Sequence, residues 1–151
     1  MGLYYPIFLD LRERPAVVVG GGRVAARKTA GLVEAGARVR VIAPRALPEI
    51  EAHRIDRRRY RSGDLHGAVL AFAATNDRAV NHAVALEARR RGIPVNVADA
   101  AAECTFLVPA RIRRGELQIA VSTGGKSPRL ARRLRLILEA ELTKALRRAR
   151  P

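Results

Sequence analysis

Ala16-Val17-Val18-Val19-Gly20-Gly21-Gly22-Arg23-Val24-Ala25-Ala26-Arg27-Lys28 decides the fold. A short β-branched run enters a glycine cluster and leaves as a helical pattern, which reads as strand, tight turn and helix start. Gly20, Gly22 and Ala25 fill the three slots of the dinucleotide fingerprint, with Ala in the third. Gly20 permits the sharp turn. Gly22 removes the Cβ that would hold a pyrophosphate off the backbone, and Ala25 lets helix and strand pack closely. The new helix turns free N–H groups and the positive end of its dipole toward phosphates. The competing reading is a plain structural turn.

The spacing outward from this stretch repeats strand and helix. Strand one (16–20) and a helix over 23–35, ended by Gly36, lead to a second strand at 38–43 closed by Pro44. A third strand is expected near 55–60, at a sheet edge because of Arg57, Arg58 and Arg59. The continuous apolar run 68–74 has the character of a buried parallel strand. Thr75-Asn76-Asp77 then opens a helix over 78–91, and 93–97 forms a fifth strand. This alternation implies an α/β fold with a parallel, Rossmann-like sheet. Pro6 to Leu11 reads as a lead-in strand. After Asp99 the pattern changes to short strands at 105–109, 110–113 and 117–122, the last two a β-hairpin around Arg114-Gly115-Glu116. A helix over 127–148 follows, with Leu130, Leu134, Ile137, Leu138, Leu142 and Leu146 in one stripe. The expected division is a dinucleotide-binding domain over 1–109 and a hairpin-and-helix unit over 110–151, which covers the sheet or pairs with a second chain.

Composition sets bounds. At 151 residues and 48% hydrophobic content the chain is globular, with room for one domain and a small appendage. No apolar run reaches about 18 residues, so no membrane span is expected. Met1 to Asp10 has neither a basic start nor a long apolar stretch, so no signal peptide is expected. Cys104 alone cannot form an internal disulfide, and it fits a reducing cytoplasm. The net charge is +15. Residues 111–151 hold 12 Lys and Arg against 3 acids, and residues 1–110 hold 17 against 11, so the excess lies in the last quarter. Such a field attracts polyanions, whether nucleic acid, an anionic surface or a polycarboxylate substrate. Arg outnumbers Lys 26 to 3, which is equally a compositional bias on solvated helix faces.

Four further groups carry candidate chemistry. An acid that holds ribose hydroxyls is usual at the end of strand two, yet Ala43-Pro44-Arg45 stands there, and Arg45 is compatible with a 2′-phosphate or with an ordinary loop charge. Thr75 and Asn76 follow a buried strand beside the cofactor crevice, where Asn76 or Asp77 also suits a helix cap. Asp99 follows the fifth strand, where a carboxylate can accept a substrate proton. Ser122-Thr123-Gly124-Gly125-Lys126-Ser127-Pro128 has the composition of an anion cradle, and Ser127-Pro128 that of a helix start. His53, His66 and His82 have no metal-ligand spacing with one another or with Cys104, so no metal site is expected.

Taken in order, these pieces resemble the precorrin-2 dehydrogenase family, the NAD-binding module also found at the N-terminus of siroheme synthase. The resemblance runs through Pro6–Leu11, Val18–Lys28, Leu32–Ala37, Val41–Pro44, Ala73–Asp77, Val95–Asp99 and Ala120–Pro128. It implies NAD contacts around Gly22, Arg23 and Val24, around Pro44 and Arg45, and around Thr75, and the glycine turn and the polar loop add Gly20, Gly21 and Asn76 as candidates beside them. It implies that Asp99 is the essential aspartate. It places Thr123 in the position of the family's loop hydroxyl facing an anionic tetrapyrrole, and Ser122, Gly124 and Lys126 of the anion cradle are the candidate substrate contacts beside it. A metal would concern Asp99 only if the chain also inserts one. The resemblance further implies a homodimer that exchanges the hairpin and helix. The sequence ends at Pro151, short of the helical region of longer members, and Ala100-Ala101-Ala102 is a plainer loop than usual. Dehydrogenation of precorrin-2 to sirohydrochlorin without iron insertion is therefore the expectation. A basic nucleic-acid-binding module is the alternative, with only three Tyr and three Phe available for stacking. A dinucleotide-binding protein without catalysis is the third reading.

Overall fold

The computed structural model describes residues 4–148; the expected ends of the two domains, at Met1 and Pro151, lie outside them. Residues 7–106 form one compact unit, and residues 107–148 with 4–6 form another.

In the larger unit β1 (Pro15–Val19), β2 (Arg38–Ile42), β3 (Arg54–Asp56), β4 (Leu70–Ala73) and β5 (Val95–Val97) make one sheet in the order β3-β2-β1-β4-β5. Every pairing is parallel. Helix α1 (Arg23–Glu34) connects β1 to β2, and α2 (Arg78–Arg90) connects β4 to β5. Strand order reverses beside β1, which opens a crevice between its carboxyl end and that of β4. The fold is α/β and Rossmann-like.

The run Ala16-Val17-Val18-Val19 is apolar throughout because both of its faces are covered. Val17 and Val19 pack in one layer with Ala71, Ala73, Val95 and the α2 residues Val84, Ala85 and Ala88. Ala16 and Val18 pack in the other with Val39, Val41, Phe72 and the α1 residues Ala25 and Leu32. Helix α1 ends where Gly36 takes φ +81°, with Gly36 N donating to Val33 O and Ala37 N to Leu32 O. That left-handed residue satisfies carbonyls the helix would leave open. Helix α2 starts at Asp77, whose carboxylate accepts from Ala79 N and Val80 N, a cap of about 1 kcal/mol. Asp77, not Asn76, holds this place.

Several expected boundaries move. Residues 6–11 are not a strand; Ile7, Phe8 and Leu9 are exposed, and the segment makes no ladder. Residues 105–109 are not a strand either: Thr105 bonds to Val95 through N–H and hydroxyl, and regular pairing goes no further. The edge strand β3 stops at Asp56, before the three arginines, because Arg58 turns to grip Asp64 at 2.6 Å. Residues 101–103 form a 3₁₀ turn.

In the smaller unit β6 (Ala110–Arg114) and β7 (Leu117–Val121) form an antiparallel hairpin closed by Gly115 at φ +60°. Helix α3 (Pro128–Arg148) follows. Ser127 Oγ accepts from Leu130 N at 3.2 Å, and Pro128 sits in the first turn, where no N–H is needed. Only Ala131 of α3 is buried, and Leu130, Leu134, Leu136, Ile137, Leu138 and Leu146 are exposed. No helix among the described residues is long and apolar enough to cross a membrane.

Candidate functional site

Parallel register brings the carboxyl ends of the strands side by side. Val19 pairs with Ile42 and Ala73, and Ala73 with Val97. The next residue of each strand continues the ladder: Gly20 N donates to Ile42 O, Ala74 N to Val19 O and Ala98 N to Ala73 O, at 2.8–2.9 Å. Four loops therefore leave one edge together, and they carry Gly20–Val24, Pro44 and Arg45, Thr75 and Asn76, and Asp99.

The three glycines differ in what they face. A Cβ on Gly20, which has φ +132°, would lie 2.3 Å from Ala74 O. One on Gly21 would lie 1.9 Å from Arg45 O, while Gly21 O accepts from Leu47 N. These two glycines let the β1 loop touch its neighbours. A Cβ on Gly22 would meet nothing within 4 Å. Gly22 is the N-cap of α1 and supplies no side-chain cap, and the first turn of α1 carries no acid. Helix N–H groups thus face open space where a side chain would intrude. Arg23, Val24, Pro44, Arg45 and Asn76 are exposed around it. These residues fit a dinucleotide pyrophosphate.

Thr75 and Asp99 meet through a residue that the sequence reading passed over. Asn81 is fully buried in the first turns of α2. Its Oδ1 accepts from Thr75 N at 3.1 Å and lies 2.8 Å from Thr75 Oγ1, and its Nδ2 donates to Thr75 O and Asp99 Oδ1, both at 3.0 Å. The signal was a lone amide on the helix face otherwise made by Val84, Ala85 and Ala88. Behind Asp99, Glu103 binds Arg78 and His82, and Arg89 reaches Ala102 O. The Arg78 guanidinium, then His82, holds the Glu103 carboxyl below its ordinary pKa. Cys104 Sγ accepts from Val97 N and donates to Val97 O, so the thiol closes the same loop. On α1, the half-buried Lys28 amine lies 5.3 Å from the centre of the Phe72 ring, and burial lowers its pKa.

The hairpin unit holds the second predicted group. Thr123 Oγ1 accepts from Ser127 N and donates to Ser127 O, and Ser122 Oγ accepts from Gly124 N. With Ser127 Oγ capping α3, the loop's hydroxyls are engaged in its own shape. Lys126 and Gly124 remain exposed.

A family profile described as "Putative NAD(P)-binding" matches residues 7–110, and one described as "Sirohaem biosynthesis protein central" matches residues 114–141. The chain is similar to siroheme synthases, at 50% identity over 142 residues in Methylococcus capsulatus and 47% over 140 in Methylobacillus flagellatus. These matches cover 90% and 89% of this chain and 30% of each relative, so the chain spans under a third of their length. Among solved structures, SirC, a precorrin-2 dehydrogenase, superposes with a TM-score of 0.77 at 34% identity, covering 91% of this chain and 71% of that one. The chain belongs to the precorrin-2 dehydrogenase family. Within a precorrin-2 dehydrogenase fold, the open glycine turn lies in the NAD(P)-binding region, and Asp99 also falls inside the matched segment. The loop 122–127 and the start of α3 fall inside the siroheme-biosynthesis segment.

Proposed function

We propose that this chain oxidises precorrin-2 to sirohydrochlorin, with NAD⁺ as the hydride acceptor. The observation that carries the reading is the placement of Asp99 on the same sheet edge as the open glycine turn, its carboxylate oriented by a buried amide. Two hydrogens leave the substrate. One departs with its bonding electron pair, for which a nicotinamide held at the glycine turn would supply the acceptor. The other leaves as a proton, and Asp99 is the carboxylate that takes it. Helix α1 and the Gly22 turn would hold the pyrophosphate, and Val24, Pro44 and Arg45 would be further contacts of the cofactor. NAD is the proposed form of the cofactor; Arg45 is the residue that a 2′-phosphate would engage.

The substrate's carboxylates are the proposed partners of the Lys126 side chain, with exposed Arg129, Arg132 and Arg133 on the following turns of α3. A homodimer formed through the apolar face of α3 is part of the same reading. Dehydrogenation without iron insertion is proposed, and a sirohydrochlorin assay with ferrous or cobalt ion tests that part. The central test follows NADH absorbance with enzymatically generated precorrin-2. Turnover in the parent and a loss of about 10²–10⁴-fold in Asp99→Asn, with NAD⁺ binding retained, are expected. Absence of turnover in the parent returns the fold to a binding role.

A further inference from the structure

We propose that Asn81 is a positioning residue that sets one oxygen of Asp99 as proton acceptor and ties it to the cofactor-side loop at Thr75. The inference rests on the reading of Asp99 as the base. Asn81 is fully buried, and each of its two polar atoms is engaged. An amide left unsatisfied in such a place is costly, so its orientation is not free. Thr75 N–H must meet an acceptor and Thr75 C=O a donor, which fixes Oδ1 toward the first and Nδ2 toward the second. One Nδ2 proton is taken by Thr75 O at 3.0 Å. The remaining proton points at Asp99 Oδ1, also at 3.0 Å.

Two consequences follow from this forced orientation. Asp99 Oδ1 is occupied by a donor that cannot rotate away, which leaves Oδ2, without a hydrogen-bond partner among the described residues, as the atom that receives a proton. At the other end, the Thr75 hydroxyl has a single proton, shared between Asn81 Oδ1 at 2.8 Å and Asp77 O at 2.9 Å, and it accepts from Asp77 N at 3.1 Å. The loop after β4, the start of α2 and the loop after β5 are thereby held as one piece. Thr75 and Asp99 stand 24 residues apart and share a single anchor.

The test is a double-mutant cycle in the full chain, with kcat, KM for NAD⁺ and a side-chain NMR signal as readouts. Asn81→Ala is expected to lower kcat about 10–100-fold, as removal of an orienting partner does. In the Asp99→Asn background the same change is expected to cost less than about threefold, because the group it orients is gone. In the apo protein, one Asn81 side-chain amide proton is expected to shift in Asp99→Ala while the other stays with Thr75 O. Asn81→Asp, equal in size but with an oxygen facing Asp99, keeps the experiment informative if the alanine variant fails to fold; it should be slower than the parent. Equal losses from Asn81→Ala in both backgrounds would reduce Asn81 to a structural role and overturn the proposal, while Asp99→Asn alone stays slow. Near-normal turnover of Asp99→Asn would overturn both the base and its positioning residue.

Discussion

Gly21 and Arg45 are in backbone contact: a methyl group on the glycine would overlap the arginine carbonyl oxygen, and the glycine's own oxygen is held by Leu47 N at 2.9 Å. The loop after β1 is therefore seated against the loop after β2 before any cofactor arrives. Gly22, one residue on, faces nothing.

This contrast separates folding from binding. Gly21→Ala forces backbone apart and is expected to destabilise the unit by about 1–3 kcal/mol or more, in the range of overpacked sites. Gly22→Val is expected to unfold only a few degrees below the parent, since its φ of −91° suits any residue, its Cβ has room and only the N-cap preference for glycine is lost. Its NAD⁺ affinity should nevertheless be lost, because the side chain fills the pyrophosphate approach. Thermal unfolding with NAD⁺ titration of both variants checks the pair. Retained affinity in Gly22→Val would remove the glycine turn as the cofactor site.

Much of the fold was legible because parallel strands buried on both faces spell out continuous apolar runs: Ala16–Val19 and Leu70–Ala73 read directly. The lead-in segment misled, since Ile7, Phe8 and Leu9 have strand composition but no ladder to join. Composition cannot report whether a sheet edge is available. Thr105 misled for a related reason, as its bonds to Val95 serve a loop. At the site, Asp99 and Thr75 stood out by following strands. Asn81 did not, because a polar residue within a helix acquires meaning only when a distant carboxylate is placed beside it.

Acid should weaken the sheet unit in a defined window. Glu87 is buried on α2, and its carboxylate accepts from Tyr60 OH, Gly63 N, Leu65 N and Arg91 Nε. Burial raises its pKa, but the donors, Tyr60 foremost, outweigh that and leave it lowered. Asp64, gripped by Arg58, and Asp56, gripped by Arg40, are lowered too. A depressed folded pKa contributes stability that is complete above the unfolded value and is lost as pH falls through the folded one. Unfolding free energy is expected to be steady at neutral pH and to decline below about pH 4.5. Glu87→Ala should cost about 3–5 kcal/mol at pH 7, since it strands four donors, and the gap from the parent should narrow at pH 3. Urea titrations at the two pH values measure it. A gap that does not narrow would place the cost in packing alone.

The exposed leucines of α3 call for cover. Leu130, Leu134, Ile137, Leu138 and Leu146 lie on one helix with a single buried residue, an arrangement unusual for a chain that stays alone in water. The parent is expected to sediment as a dimer, and Leu134→Glu with Leu138→Glu as a monomer. Sedimentation velocity across a concentration series distinguishes the two. A parent that remains monomeric at high concentration would leave the stripe unexplained by self-association.

The positive charge is concentrated in the last quarter of the chain. The 12 cationic side chains of residues 111–151 face 3 acids, and of these acids Glu139 is paired with Arg114 and Arg135, and Glu141 with Lys144. Lys126, Arg129, Arg132 and Arg133 are exposed and make no ion pair among the described residues. A polycarboxylate substrate drawn by this group is attracted over distances that salt shortens, from about 10 Å at 0.1 M to about 3 Å at 1 M. The KM for precorrin-2 should therefore rise with ionic strength, and the KM for NAD⁺, a far less charged ligand, should move little. Lys126→Ala with Arg129→Ala should raise the KM for precorrin-2 with kcat nearly unchanged, the pattern of lost uniform binding. It should also flatten the salt dependence. Steady-state kinetics over a salt series, in parent and variant, supply both numbers. A KM for precorrin-2 indifferent to salt, alongside DNA affinity that falls steeply with it, would assign the charge to nucleic acid and detach it from the dehydrogenase.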